Sequence, residues 1–247
     1  MNQKAATLIS AMFAAISAHA TDIISPSGGP FGAGILPFFV PTMHYQQVYG
    51  ASDFSAIGPA GGFISEIWFG RAGADYGGFP NIQLTLSTTA RAVGGLSSIF
   101  AENPGTDAQV VHSGPLPFSS SDADPTFTTR ITLDQAFYYN PTAGNLLLDI
   151  ENYHGLEQTP APPLRTLWTS SSHSVSTAWS YDLGSATADV VGSAGGLLTK
   201  FVIEPVPEPS AFAFLALAFA GCATMAAWGR HSSVPSDRMN GGTDGPG

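Results

Sequence analysis

The sequence predicts an all-β fold, an antiparallel β-sandwich of jelly-roll-like type, and three observations predict it. Apolar residues alternate at period two in several short runs. Turn-forming residues separate those runs, in a chain of 247 residues that holds 28 Gly and 19 Pro. Almost no stretch between residues 21 and 205 carries apolar residues at helical spacing. Many short strands with abundant Gly and Pro are the pattern of two packed antiparallel sheets.

The elements follow in order. Lys4 supplies one positive charge, Ala5 to Ile16 form an apolar run too short to span a bilayer, and Ala18-His19-Ala20 is an A-x-A site. Together they predict a signal peptide over 1–20, cut to leave Thr21 at the head of the mature chain; an amphipathic core helix is the alternative. Phe63, Ser65, Ile67 and Phe69 share one face of a strand, with Ile64, Glu66 and Trp68 on the other. Ile82, Leu84 and Leu86 alternate with Gln83 and Thr85. Phe127, Thr129, Ile131 and Leu133 alternate with Thr128, Arg130 and Thr132. Leu146, Leu148 and Ile150 alternate with Leu147 and Asp149, and Leu197, Thr199, Phe201 and Ile203 with Leu198, Lys200 and Val202. Val110-Val111 and Leu164 to Trp168 read as further strands. Asn140 to Asn145 is a turn between two strands, and Gly73 to Pro80 a Gly-rich loop. A single short helical turn is expected around Ser97 to Glu102, stopped by Asn103-Pro104-Gly105. The Pro-rich piece Gln158 to Pro163 reads as a connection across the sandwich, with a domain linker as runner-up. No repeat of fixed period appears, which argues against a propeller or solenoid.

The C-terminal end is different in kind. Ala211 to Trp228 carries no charge. As a helix at 1.5 Å per residue it would be about 27 Å long, close to the ~30 Å hydrocarbon core of a bilayer. Arg230 follows it and the acidic Glu204 and Glu208 precede it, a polarity that keeps the C-terminus in the cytoplasm and residues 21–205 outside. Pro207 and Pro209 lack amide protons and hold the preceding segment extended. Residues 206–230 therefore form an accessible tag and one transmembrane helix, and 231–247 a disordered polar tail. A buried core helix or an uncut tail anchor is the alternative.

The order Pro207-Glu208-Pro209, apolar run and Arg230 resembles the PEP-CTERM sorting signal. That resemblance implies export by the secretion machinery, transient membrane anchoring, and processing near the tag by an exosortase-type enzyme. From Tyr45 through Tyr153 the chain also resembles a group of uncharacterised PEP-CTERM surface proteins. The matching pieces are Tyr45-Gln46-Gln47-Val48-Tyr49, Asn81 to Thr89, and Tyr139-Asn140-Pro141 with Gly144 to Asp149. PEP-CTERM systems are associated with exopolysaccharide, so the resemblance implies a place at the cell surface or in the extracellular matrix.

Charge narrows the partners. Asp and Glu total 18 against 8 Lys and Arg, a formal net charge of −10. The outer domain's basic residues are Arg71, Arg91, Arg130, Arg165 and Lys200, and they form no run. Such a surface repels nucleic acid and anionic polymers and suits divalent cations and neutral glycans. The single cysteine, Cys222, lies within the membrane-length run, so residues 21–205 hold no disulfide.

Candidate chemistry is sparse. Asp122 and Asp124, two apart in a Ser-rich loop, are oxygen ligands that suit Ca²⁺, although the loop lacks the spacing of an EF-hand and solvated acids explain it as well. Asp75 and Asp107 rank below them. His44, His112, His154 and His173 show no zinc spacing, and no nucleophile elbow occurs. Asp149 and Glu151 share one face of a strand, about 6–7 Å apart, and with Glu66 would make an acid/base set if the fold joined them. Solvent-facing strand acids are the plainer reading. Trp68, Tyr76, Trp168, Trp179 and Tyr181 would serve as a stacking platform for sugar rings, with Trp168, Trp179 and Tyr181 its centre; aromatics at alternating strand positions are also core residues. The expectation is a non-enzymatic exported surface or matrix protein, with a carbohydrate-binding module as the alternative and a glycan-active hydrolase behind it.

Overall fold

In the computed structural model, residues 19–27, 31–72, 81–116, 126–154, 165–169, 174–192 and 195–206 are described, with the main chain alone at 33, 71, 72, 128 and 165–169. They belong to one compact unit, Ser17–Val206. The strands are β1 (Thr21–Ser25), β2 (Gly32–Gly34), β3 (Met43–Tyr49), β4 (Gly62–Ala72), β5 (Asn81–Thr89), β6 (Gln109–Pro115), β7 (Phe127–Tyr139), β8 (Asn145–His154), β9 (Arg165–Thr169), β10 (Val175–Ser180), β11 (Val190–Gly192), β12 (Gly196–Leu197) and β13 (Thr199–Pro205). Two 3₁₀ turns, Ala51–Ile57 and Phe100–Glu102, are the helical elements among the described residues.

The strands make two antiparallel sheets. One has seven strands in the order β1-β13-β4-β9-β12, with β2 beside β9 and β7 beside β4. The other has six, in the order β11-β10-β3-β8-β5-β6. The expected strands are present, and the alternation sets which face is dry. Leu146, Leu148 and Ile150 of β8 point into the sandwich, as do Ile82, Leu84 and Leu86 of β5, Ile131 and Leu133 of β7, and Leu197, Phe201 and Ile203 near the C-terminal end. Phe127, expected in the same row, is buried beside Lys200 instead, because the β7 register shifts at its start. Burying each such side chain contributes on the order of 1.5–3 kcal/mol.

Strand β4 departs from simple alternation. The register of β4 against β7 and β13 shifts around Ser65, with Ile64 opposite Phe137 and Glu66 opposite Thr132. This bulge turns Ile64 inward beside Ile67 and Phe69, and leaves Phe63 outside with Glu66 and Trp68. Strict period two had paired Phe63 with Ile67 and Ile64 with Trp68. The extra residue exchanges Phe63 and Ile64 between faces.

A buried polar clamp ties the sheets. The Gln47 side chain donates from Nε2 to Leu197 O (3.0 Å) and accepts the Leu197 amide at Oε1 (2.7 Å). The Tyr45 hydroxyl donates to the same Oε1. Tyr49 and Thr199 share a hydroxyl pair at 2.7 Å. Gly196 is needed there, because a Cβ on it would meet Gln47 Oε1 at 2.5 Å. Burial drives the Tyr45 and Tyr49 hydroxyls well above their ordinary range.

These contacts also orient the molecule. Gln47 reaches Leu197, and the Tyr49 ring packs edge-on to Phe201 at 5.1 Å, so β3 and β13 run the same way. Thr21 pairs with Ile203, which puts the start of β1 and the end of β13 at one pole. His44 lies five residues before Tyr49, about 17 Å toward the other pole at strand rise.

Candidate functional site

The outward row of β3 is His44, Gln46 and Val48, and that of β8 is Leu147, Asp149 and Glu151. In register, His44 stands opposite Glu151, Gln46 opposite Asp149 and Val48 opposite Leu147. The row divides by polarity. Val48 and Leu147 join Leu96, Phe100 and Ala178 in a second small apolar cluster outside the sheet. That cluster seats the segment 96–104 on the sheet. The His44–Gln46–Asp149–Glu151 half of the face remains beside it as the floor of an open cleft of about 330 Å³.

Asn103 pins the wall of this cleft. It is buried, and its Nδ2 donates to Gln46 Oε1 (2.7 Å) and Ser97 O (2.9 Å). Its Oδ1 accepts the Ser97 amide (2.8 Å), and its carbonyl accepts the Thr89 hydroxyl (2.6 Å). The expected helical turn is the 3₁₀ turn Phe100–Glu102, ended at Asn103 as the sequence indicates. A second segment locks onto it: Phe100 N donates to Ala186 O, and Ala188 N to Ser98 O. Ile99, Phe100 and Pro104 from the first segment, with Leu183, Ser185 and Ala186 from the second, form the walls.

The floor is wired together. His44 Nε2 lies 2.9 Å from Asp149 Oδ1, and Gln46 Nε2 donates to Asp149 Oδ2 at 2.6 Å. The same amide nitrogen reaches Phe100 O at 3.3 Å. The imidazole stacks on the Phe100 ring, centroids 3.8 Å apart and planes 26° from parallel. Both oxygens of Asp149 are therefore held by protein groups, and the carboxylate is fixed in place. Glu151 accepts the Tyr153 hydroxyl, and that bond pushes Tyr153 up to about 12. The cleft thus combines oriented acceptors and donors with apolar walls, the mixture found where small polar ligands are held.

The sequence-derived residues distribute unevenly. Asp149 and Glu151 do meet in a cleft. Glu66 does not join them: it lies on the outer face of the other sheet, where Arg130 grips it through Nη2 (2.6 Å) and Nε (3.0 Å). Trp179 and Tyr181 pack together edge-to-face at 5.2 Å, with Trp179 half-buried against the main core. Trp168 lies on β9, opposite Gly32 and Leu197, in the seven-stranded sheet, whereas Trp179 is in the six-stranded one. Trp68 is flanked by Lys200 and Arg130. His112 Nδ1 comes within 3.5 Å of Asp134, and Asp107 accepts the Thr88 amide. Ala20 is described and Thr21 opens β1. Ala18, Asp75, Tyr76, Asp122, Asp124, Gln158 to Pro163, His173, Pro207, Glu208, Pro209 and Arg230 lie outside the described residues. Among the described residues no group of three or more His, Cys, Asp or Glu is placed to hold a metal, and no helix is long and apolar enough to cross a membrane.

Sequence reasoning gives His44, Gln46, Phe100 and Asn103 no part in a site: His44 enters it only as a candidate zinc ligand and Asn103 only as the stop of a helical turn. The signal for the first two was present in Met43–Tyr49, where His44, Gln46 and Val48 alternate with Tyr45, Gln47 and Tyr49. No family model, curated protein or solved structure matches the chain.

Proposed function

We propose that this protein is exported, carried to the cell surface on its C-terminal segment, and that it binds neutral glycan there without turning it over. The cleft over His44, Gln46, Asp149 and Glu151 is the observation that carries the reading. A fixed carboxylate, an amide and an imidazole offer paired donors and acceptors to hydroxyl groups, beside an apolar wall from Phe100 and Leu183. The acidic balance of the chain disfavours anionic polymers.

Export rests on the two ends. The first strand begins at Thr21, the residue that would head the chain after cutting behind Ala20, and the last ends at Pro205, just before the Pro207-Glu208-Pro209 tag. Both lie at one pole, and the cleft lies toward the other. From β3 to β10 the chain changes sheet at every step except the β5–β6 hairpin, which supports a jelly-roll-like connectivity. The sorting signal, exosortase processing and a matrix role belong to this same proposal.

The test is retention of the purified exported chain by the host's own extracellular polysaccharide, against an unrelated acidic β-sandwich. Specific retention supports the reading, and retention equal to the control removes it. N-terminal sequencing of the envelope form should begin at Thr21. A hydrolase is the second reading, because Asp149 and Glu151 line one cleft. Release of reducing ends from the polysaccharide, abolished in Glu151→Gln, would establish it in place of simple binding.

A further inference from the structure

Resting on the glycan-binding reading above, the strand register points further, to the form of the ligand. The polar floor does not stop at β8. Glu151 stands opposite His44 on one side and Gln83 of β5 on the other, and Gln83 stands opposite Ser113 of β6. The neighbouring row runs Gln46, Asp149, Thr85. Each residue of these two rows faces away from the main core, since Leu84 and Leu86 occupy the inward positions of β5 and Leu148 and Ile150 those of β8. Gln83 and Thr85 are half-buried and Ser113 is exposed.

The walls are one-sided. They come from the joined segments 99–104 and 183–186, and no residue of β5 or β6 lines the cleft among the described residues. The lining ends at Asp149 and Glu151 of β8, and the outward row of the sheet continues from there onto β5 and β6. Neighbouring strands are about 4.8 Å apart, so the row from His44 to Ser113 covers about 14 Å, more than one sugar ring. Its outer part is amide and hydroxyl, groups that both donate and accept, with no cation to favour an anion.

We infer that the site holds the end of a linear neutral oligosaccharide, with the terminal ring against His44, Gln46 and Asp149 in the cleft and the following rings laid across Glu151, Gln83 and Ser113. The chain crosses the strands, running from the β10 side toward the β6 edge.

The experiment uses the host polysaccharide partially hydrolysed and separated into mono-, di-, tri- and tetrasaccharide pools, each titrated into the full exported chain and into its Gln83→Ala and Thr85→Ala variants. Near-ultraviolet circular dichroism checks that each variant keeps the parent fold; both positions are half-buried on the outer face of the sheet. The expected result is an affinity that rises with chain length in the parent. Gln83→Ala should lose several-fold for the tri- and tetrasaccharide and leave the monosaccharide unchanged. Equal affinity for all lengths, or a Gln83→Ala variant that binds every pool like the parent, overturns the track while leaving glycan binding standing. Binding of no pool overturns both.

Discussion

The outer faces of the two sheets are built from the same kinds of residue and reach opposite ends. On the seven-stranded sheet, the register sets Lys200, Trp68 and Arg130 side by side across β13, β4 and β7. Lys200 Nζ lies 4.0 Å from the centroid of the Trp68 ring and Arg130 5.2 Å from it. Glu66 takes two bonds from Arg130 and one from Trp68 Nε1 at 2.9 Å. Asp22 stands 3.8 Å from Lys200. Carboxylate, cation and aromatic consume one another, and the face is closed. On the six-stranded sheet a carboxylate and an aromatic again meet, but the partners of Asp149 are an imidazole and an amide, and Phe100 comes from a loop that stands above the sheet. Ligand space arises where a loop raises the aromatic off the sheet, and is absent where it lies flat between cations.

Breaking the loop that makes this difference should have the largest effect. In Asn103→Leu, the buried Gln46 Oε1 and the partly buried Ser97 amide and carbonyl lose their partners, at about 1–3 kcal/mol for a buried group left unpaired and less for one that water reaches. The expected loss is about 3 kcal/mol or more in denaturant unfolding, together with loss of polysaccharide retention. A variant with the parent midpoint would mean that the 96–104 segment is held by its apolar contacts alone.

Removing the aromatic from the closed face should cost less and leave the ligand untouched. Trp68→Ala gives up a half-exposed ring and its cation contacts, about 2 kcal/mol, and polysaccharide retention should equal that of the parent. Loss of retention in Trp68→Ala would relocate the site to the other sheet. The converse variant, Asp149→Ala, should weaken binding about tenfold, about 1.4 kcal/mol, and cost about 1–3 kcal/mol in unfolding, because the buried Gln46 amide keeps only its 3.3 Å bond to Phe100 O. Titration with the polysaccharide pools measures the first, and urea unfolding the second.

The contrast also separates what the sequence disclosed from what it withheld. Alternation is a local property, so the inward rows of β5, β8 and β13 were readable residue by residue. A bulge is settled by the partner strands, so the exchange of Phe63 and Ile64 was invisible in β4 alone. Asp149 and Glu151 were legible as a pair because they sit two apart on one strand. Glu66 could be assigned to neither sheet from sequence, since that depends on how β4 and β8 sort between the sheets. Gln46 and Asn103 are 57 residues apart, and only the fold shows that one amide holds the other. His44 and Gln46 alternate plainly with Tyr45 and Gln47, yet both rows contain polar groups. Hydrophobicity alone does not say that Gln47 is the buried one, clamped to Leu197.

The smallest effect expected is also the most specific to the closed face. The Arg130 bonds hold the Glu66 carboxyl below its ordinary value of 4.5, with the Trp68 bond and the nearby Lys200 acting in the same direction. A carboxyl lowered by folding stabilises the folded state above its unfolded pKa, and that contribution disappears as pH falls through the lowered value. Glu66→Gln should therefore cost about 1 kcal/mol near neutral pH, the upper end for a pair whose arginine is half in water. The difference from the parent should stay constant down to about pH 4.5 and shrink below it. Unfolding midpoints of parent and variant between pH 7 and pH 3 measure this difference directly. A gap that persists unchanged at pH 3 would show that Glu66 acts through packing against Trp68 and not through its charge. Polysaccharide retention at neutral pH should not change, because nothing in the cleft touches this network.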